Sequence, residues 1–386
     1  MKVLVLGCGN IGSVAAEDLA KSLSHNQIVL ADKDETKAKK VAEKIGRNNV
    51  SWVKLDAENR SKLVNSLHDY DLVLGFLPRK LGYNLLKACI AAGKDLVDVS
   101  FMEENPLTLH EKAVKAGVTI VPDCGLAPGI SNFLVGYAAK KLDKIEKAHI
   151  MVGGLPEEPI PPLDYVITWS PESLIDEYTR KARIVINGRV IEKEALEGLE
   201  HVNFPRVGRL EAFFTDGLRT LIHNFKDVNE MWEKTLRYPG HVEKIKLLKA
   251  LGFFGEEQIF VDCVSVSPRK ITAKLLRRKL RTQKIKDFVV LKVEISGSKN
   301  GIKRQYEYYL LDFSDIKRGA TAMARTTAYP ASIVAQLIAK DRIKIKGVVP
   351  PEKIGMDDEL SSLFLDELKR REINIEEKVN PLHEVK

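Results

Sequence analysis

The hexapeptide Gly7-Cys8-Gly9-Asn10-Ile11-Gly12 constrains this chain more than any other segment. It directly follows a β-rich run, Lys2–Leu6, and opens a stretch with helical spacing, Ile11–Ser22. In that context a GxGxxG pattern has a mechanical meaning. The first glycine permits a tight turn, the second lets backbone approach a pyrophosphate, and the third lets helix and strand pack closely. The N–H groups and positive dipole end of the helix then face the phosphates. Gly7, Gly9, Asn10, Ile11 and Gly12 are therefore expected to bind a dinucleotide.

The alternation of periods continues to Val121. Further β-rich runs are Gln27–Ala31, Val50–Lys54, Leu72–Leu74, Asp95–Val99 and Thr119–Val121. Helical spacing occupies Glu35–Ile45, Asn59–Leu67, Leu81–Ala92 and Pro106–Ala116. This reads as an α/β Rossmann domain, a parallel sheet covered on both faces, with right-handed crossovers. Asp32 ends the second strand, where an acidic residue accepts hydrogen bonds from the adenosine ribose and repels a 2′-phosphate. It favours NAD over NADP, although Lys33 beside it offers a phosphate partner. Nucleotide contacts gather at the carboxyl ends of strands. That rule adds Asp56 and Ala57, then Gly75, Phe76, Leu77 and Pro78, and Ser100 as cofactor candidates; each is otherwise an ordinary loop residue.

Past Val121 the rhythm stops. PDCGLAPG (Pro122–Gly129) is rich in turn residues and precedes a helical pattern, Ile130–Leu142, so a domain boundary is drawn near it. From about residue 145 to 320 alternating runs appear at His149–Val152, Phe288–Ile295 and Arg304–Asp312, the last two flanking a hairpin turn in SGSKNG. A mixed or antiparallel sheet with helices, an α+β second domain, is expected there. Pro156–Leu163 reads as a Pro-rich loop, Ala331–Ala339 as a short apolar helix, and the tail after Pro350 as charged and amphipathic.

Composition narrows the function classes. Over 386 residues, 44% hydrophobic and 30% charged residues exclude general disorder. No run approaches the roughly 18 apolar residues of a membrane-crossing helix. The opening MKVLVLG is not read as a secretion signal, because glycine and asparagine cut its apolar run. Cys8, Cys89, Cys124 and Cys263 form no CxxC pair and no zinc spacing with histidine, so reduced thiols in a cytoplasmic protein, and no metal, are expected. A net charge of +8 permits an acidic ligand without arguing for nucleic acid. The basic run Lys270, Lys274, Arg277, Arg278, Lys279, Arg281, Lys284 and Lys286 has no interleaved aromatics. It reads as a solvated helix beside an acidic surface rather than a strand-binding platform.

The remaining polar segments are long and ordered. VDVSF (Val97–Phe101), PDCGLAPG, GGLPEEPIPPLDY (Gly153–Tyr165), WSPESLIDEYTR (Trp169–Arg180), FFTDGLRTL (Phe213–Leu221) and TLRYPGH (Thr235–His241) together resemble the saccharopine dehydrogenase-like family. Within it they are most similar to lysine 6-dehydrogenases, and the resemblance runs to about Pro351. It implies a Rossmann domain (1–124), a substrate, catalytic and dimerisation domain (125–324), and a C-terminal segment (325–386) packing back on the first. It implies a homodimer that oxidises an amino-acid amine with a nicotinamide cofactor, with neither membrane nor nucleic acid as partner. Lysine would lose hydride from its ε-carbon, and water would release ammonia to leave 2-aminoadipate 6-semialdehyde, which cyclises. A saccharopine-type substrate, a secondary amine with three carboxylates, is the alternative; reductases of that type usually take NADP, and Asp32 departs from them. An NAD-binding regulatory protein without turnover is the third reading.

Oxidation of an amine needs a base for its proton, an arginine for the carboxylate and an acceptor for the α-ammonium. Asp123, past the sixth strand at the carboxyl edge of the sheet, is expected to hold or deprotonate an amine; otherwise it is a turn or capping residue. Arg219 and Arg237 are the carboxylate-clamp candidates, with Thr235 and Tyr238 orienting them, or else they form ion pairs inside the fold. His241 is either a proton shuttle near neutral pH or the start of a helix. Tyr178 and Thr179 either line the site or pack, Trp169 reads as core, and nothing near Cys124 suggests an activated thiolate.

Overall fold

Strands that are apolar along their whole length must be covered on both faces, and the runs at Lys2–Leu6 and Leu72–Gly75 are buried almost throughout. The computed structural model describes residues 1–168, 170–280 and 286–381; Trp169, Arg281 and Lys284 lie outside the described residues. In chain order the first elements are β1 (Lys2–Leu6), α1 (Asn10–Ser22), β2 (Gln27–Asp32), α2 (Glu35–Ile45), β3 (Val50–Lys54), α3 (Arg60–Leu67), β4 (Leu72–Gly75), α4 (Arg79–Ala92), β5 (Asp95–Asp98), α5 (His110–Lys115), β6 (Thr119–Val121) and α6 (Ile130–Ala139). Asp34 and Asn59 cap α2 and α3 by accepting the N–H of the third helical residue, and Gly46 and Gly93 end α2 and α4 in the left-handed region. Pro106 opens a separate 3₁₀ turn, Pro106–Leu109, so the single helix expected over Pro106–Ala116 is two pieces.

The chain continues with β7 (Lys144–Pro156), α7 (Pro171–Thr179), β8 (Ala182–Ile186), β9 (Arg189–Lys193), β10 (Glu200–Phe204), β11 (Gly208–Thr215), α8 (Leu221–Asn224), β12 (Glu230–Arg237), α9 (His241–Ala250), β13 (Ile259–Val261), β14 (Val264–Val266), α10 (Pro268–Lys279), β15 (Asp287–Lys299) and β16 (Ile302–Phe313). It closes with α11 (Ala322–Ala339), β17 (Gly347–Val348), α12 (Pro351–Met356), α13 (Asp358–Arg370) and β18 (Ile375–Pro381).

Two compact units result. The first comprises Met1–Asp143, Arg219–Leu221 and Ala324–Asn374. Among the described residues its sheet is parallel, in the order β17-β6-β5-β4-β1-β2-β3. That is the doubly wound order, reversing between β1 and β4, where a crevice opens at the carboxyl ends of the strands. The unit runs on to Asp143 and so takes in α6, past the boundary drawn at residue 124. Gly136 of α6 and Gly355 of α12 let those helices touch: a Cβ on Gly136 would stand 2.1 Å from the Glu352 carbonyl oxygen.

The second unit comprises Lys144–Leu218, Ile222–Met323 and Ile375–Lys386. Its main sheet runs β10-β11-β12-β7-β15-β16-β18, with β8 and β9 branching from β12. The β12–β7 pair is parallel and its neighbours are antiparallel, so the sheet is mixed. The β15–β16 turn is only Asn300-Gly301, both at positive φ (51° and 78°), and SGSK belongs to the strand. β18 was expected as a charged tail and instead pairs with β16. Tyr165, Tyr178, Phe213 and Leu236 lie in the core of this unit. The described part of the basic run lies on α10, where Arg277 meets Glu172 of α7 at 3.0 Å.

Candidate functional site

Three glycines open α1, and the structure separates their reasons. Gly7 sits at φ +104°, and a Cβ there would fall 2.5 Å from the Phe76 carbonyl oxygen. A Cβ on Gly12 would fall 1.9 Å from the Gly7 oxygen. Gly9 is different: its φ of −74° suits any residue, and nothing lies within 4 Å of its Cβ position. It is the N-cap of α1 and no side chain caps that end. The fold accounts for Gly7 and Gly12; at Gly9 it leaves open space at the helix start. Asn10 is exposed at the same helix start and Ile11 is half-buried.

Asp32 ties the loop to β2. Its Oδ2 accepts the Cys8 N–H at 2.9 Å and its Oδ1 accepts the Asp34 N–H at 3.0 Å. Lys37 Nζ stands 3.5 Å from Oδ2. Lys33 turns to Glu58 at 3.2 Å, both side chains exposed. Gly7 to Gly12 and Asp32 thus fit a dinucleotide, with backbone donors for phosphate and a carboxylate for ribose hydroxyls.

The other strand-end candidates divide. Asp56 is exposed and accepts the Glu58 N–H. Phe76 and Leu77 are half-buried, and Pro78 is the N-cap of α4. Three of the expected cofactor residues also meet packing demands of the fold. Ala57 is buried in the core of the first unit. Gly75 makes room for Asp98 and Leu85, whose Oδ1 and Cδ2 would lie 2.3 and 2.6 Å from a Cβ. Ser100 turns its hydroxyl inward to Asp98 Oδ2 at 2.5 Å.

Beyond β5 and β6 the first unit holds a buried charged group. Arg219 Nε donates to Asp123 Oδ2 at 3.1 Å, and the side chains are 1% and 0% exposed. Arg219 also donates to the Glu104 carbonyl oxygen and lies 5.4 Å from the Phe101 ring centroid. Asp123 and Arg219 hold left-handed backbone, at φ 53° and 54°. Arg219 is therefore an ion-pair partner of Asp123, not an unengaged carboxylate clamp. Asp98, which the sequence-based assignment missed, is wholly buried beside them; its Oδ2 accepts both the N–H and the hydroxyl of Ser100. Burial raises its carboxyl to about 7, against the pull of Ser100. The signal that could have found it is an acidic residue at the end of β5, within VDVSF. Burial also raises the Cys124 thiol, first among its causes, so it is no thiolate.

The second unit gathers Tyr178, His241 and Arg237. The Tyr178 hydroxyl meets His241 Nε2 at 2.8 Å and accepts from Arg237 Nε at 3.3 Å. His241 Nδ1 contacts the Leu163 carbonyl oxygen at 2.7 Å, and Arg237 Nη2 donates to Glu177 at 2.6 Å. Burial first, then the Arg237 cation, lowers the His241 imidazole to about 3. It begins α9, and burial with the Arg237 cation beside it disfavours the protonated imidazole that a proton shuttle near neutral pH needs. Thr235 pairs with Thr215 at 3.0 Å, and the Tyr238 hydroxyl donates to the Pro156 carbonyl oxygen at 2.8 Å. Arg183 grips Asp216 with two bonds of 2.9 Å, and Arg180 approaches the same carboxylate at 3.5 Å. Glu233 is buried against Gly217, where a Cβ would fall 1.6 Å from Oε1; burial, then Asp216 and Glu177, raises it to about 8.

Elsewhere in this unit a groove of about 760 Å³ is lined by Met151, Phe204, Lys292, Glu294, Glu307 and Tyr309, away from every candidate above. Lys292 in it already bridges Glu294 and Glu307, each at 3.1 Å. No helix among the described residues is long and apolar enough to cross a membrane, and no cluster among them could hold a metal.

Comparison with known proteins finds two family models end to end: the saccharopine dehydrogenase NADP binding domain over residues 3–121 and the saccharopine dehydrogenase C-terminal domain over 125–373. Alpha-aminoadipic semialdehyde synthase of Arabidopsis thaliana is 26% identical over 90% of this chain, which spans 42% of that protein's length. Carboxyaminopropylagmatine dehydrogenase of Synechocystis is 23% identical, covering 94% of this chain and 95% of that one. The solved apo saccharopine dehydrogenase (L-Glu forming) of Saccharomyces cerevisiae shares the fold, with TM-score 0.79 at 20% identity, 98% of this chain and 99% of that one. With the glycine loop, the matched nucleotide-binding domain indicates a nicotinamide dinucleotide cofactor.

Proposed function

This chain belongs to the saccharopine dehydrogenase family, and from that premise we propose that it uses NAD to oxidise the ε-amine of L-lysine, with release of ammonia and 2-aminoadipate 6-semialdehyde. The observation that carries the substrate is the state of the arginines. Arg219 is matched by Asp123, Arg237 by Glu177, and Arg183 and Arg180 by Asp216. A substrate with three carboxylates needs several unengaged guanidinium groups. Lysine brings one carboxylate and two ammonium groups, so it asks for far fewer free guanidinium groups.

The cofactor reading rests on Asp32, whose charge opposes a 2′-phosphate, and on Lys33, drawn to Glu58. It runs against the NADP of the family model's description, which makes it the more informative half to test. A dinucleotide held by Gly7, Gly9, Gly12 and Asp32 would supply the hydride acceptor for the substrate carbon. The glycine loop orients the diphosphate, and Asp123 is the protein group that takes the amine proton.

The test is a matrix of L-lysine, L-ornithine and saccharopine against NAD and NADP, read by reduced-cofactor absorbance and co-product. Lysine with NAD, releasing ammonia, is the expected result. Glutamate from saccharopine would move the chain to the chemistry named for its yeast relative. Tight NADH binding with no amine oxidised would make it a regulatory cofactor binder.

A further inference from the structure

Asp98 and Asp123 are buried carboxylates on adjacent strand ends, and each commits one oxygen completely. Asp98 Oδ2 takes both bonds from Ser100; Asp123 Oδ2 takes the Arg219 guanidinium. The second oxygen of each, Oδ1, is buried with no hydrogen-bond partner among the described residues. An orphaned buried acceptor costs about 1–3 kcal/mol, and a pair of them marks a place where a proton or ligand is wanted. Both lie on the β4–β5–β6 half of the carboxyl edge, the mononucleotide half opposite the one that holds adenosine. Gly75 at the end of β4 has no side chain, and a Cβ there would collide with Asp98 Oδ1. The carboxyl has been given that space.

We propose that Asp98 and Asp123 form a two-carboxyl acid–base centre in which Asp123 takes the substrate ammonium's proton and Asp98, held by Ser100, sets the pH at which it does so. The step breaks one N–H bond and forms one O–H bond on Asp123 Oδ1; the electron pair stays on nitrogen, which becomes the neutral amine. Asp98 is a positioning residue that acts through Asp123. The charge of Asp123 opposes a second negative charge on Asp98. The groups facing Asp98 are Asp123 from the β6 end, Arg219, Cys124, and Cys89 from α4. Both thiols are raised by burial, so charge enters only from Asp123 and Arg219. Asp98 is raised to about 7 by burial and by Asp123, within the range of a working base.

The substrate assignment above underlies the kinetic half of the test, and a spectroscopic half stands without it. Infrared titration of the 386-residue chain without substrate is expected to show a buried carboxylic acid that loses its proton near pH 7. That band should vanish in Asp98→Asn. In kinetics, the acid limb of kcat should move to lower pH in Asp98→Asn, because the carboxyl whose ionisation near pH 7 makes Asp123 a stronger base is gone, and kcat should fall about tenfold or more. Ser100→Ala should move the limb the other way, since it removes a bond that stabilises ionised Asp98. Opposed shifts from two neighbouring variants are not produced by loosened packing, and Ser100→Ala serves if Asp98→Asn does not fold. A flat infrared titration, or one unchanged in Asp98→Asn, overturns the proposal whatever the substrate; so does an acid limb that neither variant moves. A positive infrared titration with no amine oxidised removes the lysine reading and leaves the carboxyl pair standing.

Discussion

Arg219 Nε lies 3.1 Å from Asp123 Oδ2 across 96 residues of sequence, and neither side chain reaches solvent. Such a pair is costly to break from one side, because the remaining charge stays buried. Arg219→Leu should destabilise the protein by about 3–5 kcal/mol. The double variant with Asp123→Asn should recover a large part of that loss. A double-mutant cycle in urea reads the coupling; additive losses would mean that the two groups do not share their energy.

Asp123 itself carries the chemistry in our reading. Asp123→Ala should lower turnover by orders of magnitude, about 10²–10⁴-fold for a lost general base, with NADH affinity unchanged. NADH fluorescence titration beside a rate assay separates the two. Near-normal turnover removes Asp123 from the reaction.

Cofactor choice is a matter of one carboxylate. Asp32→Ser should weaken NAD and narrow its advantage over NADP by about ten- to a hundredfold, the worth of one hydrogen bond to a charged group. Because Asp32 also holds the Cys8 N–H, some loss for both cofactors is expected. The ratio of kcat/KM values decides it, and an unchanged ratio assigns the preference to another residue.

The glycines of the loop should respond differently to the same change. Gly9→Ala meets open space at an ordinary φ, so stability should change by no more than about 1 kcal/mol while NADH affinity falls at least about tenfold. Gly12→Ala drives a Cβ to 1.9 Å from the Gly7 oxygen, and should harm folding first. Thermal melts with and without NADH distinguish them. Full NADH affinity in Gly9→Ala would refute the phosphate reading of that position.

Buried Glu233 gives the second unit a pH signature. Its carboxyl is raised from 4.5 to about 8, so the folded state keeps a proton that the unfolded chain releases. The stabilisation is complete below about pH 4.5 and is lost as pH rises through 8. Glu233→Gln should flatten this fall, by a few kcal/mol between those limits. Urea midpoints measured from pH 5 to pH 9 test it, with parallel curves for the two proteins as the contrary outcome.

The first unit was readable because its strands are short, apolar and regularly spaced. The runs chosen for β1, β3 and β6 have the observed limits, and the others differ by a residue. The carboxyl-edge rule located Gly75, Ala57 and Ser100 at the right end of the sheet. It could not say that Ala57 is buried in the core, that Ser100 turns its hydroxyl to Asp98, or that Gly75 makes room for Asp98 and Leu85 arriving from β5 and α4. The second unit was harder. β18 reads IEEKVNP, mostly exposed and charged, and only its pairing with β16 makes it a strand. His241 illustrates the same point: an imidazole's titration follows from burial and Arg237, neither of which is visible in Pro-Gly-His.

The interleaving of the two units bears on how this polypeptide emerges from a ribosome. β6 receives its outer neighbour only when Gly347 and Val348 have been made, more than two hundred residues after Thr119 and Ile120. β16 likewise waits for Ile375–Pro381. Neither lobe can finish while the nascent chain is still short, so both sheets carry an unpaired border through most of synthesis. Late completion makes premature termination near the carboxyl end damaging to both lobes at once.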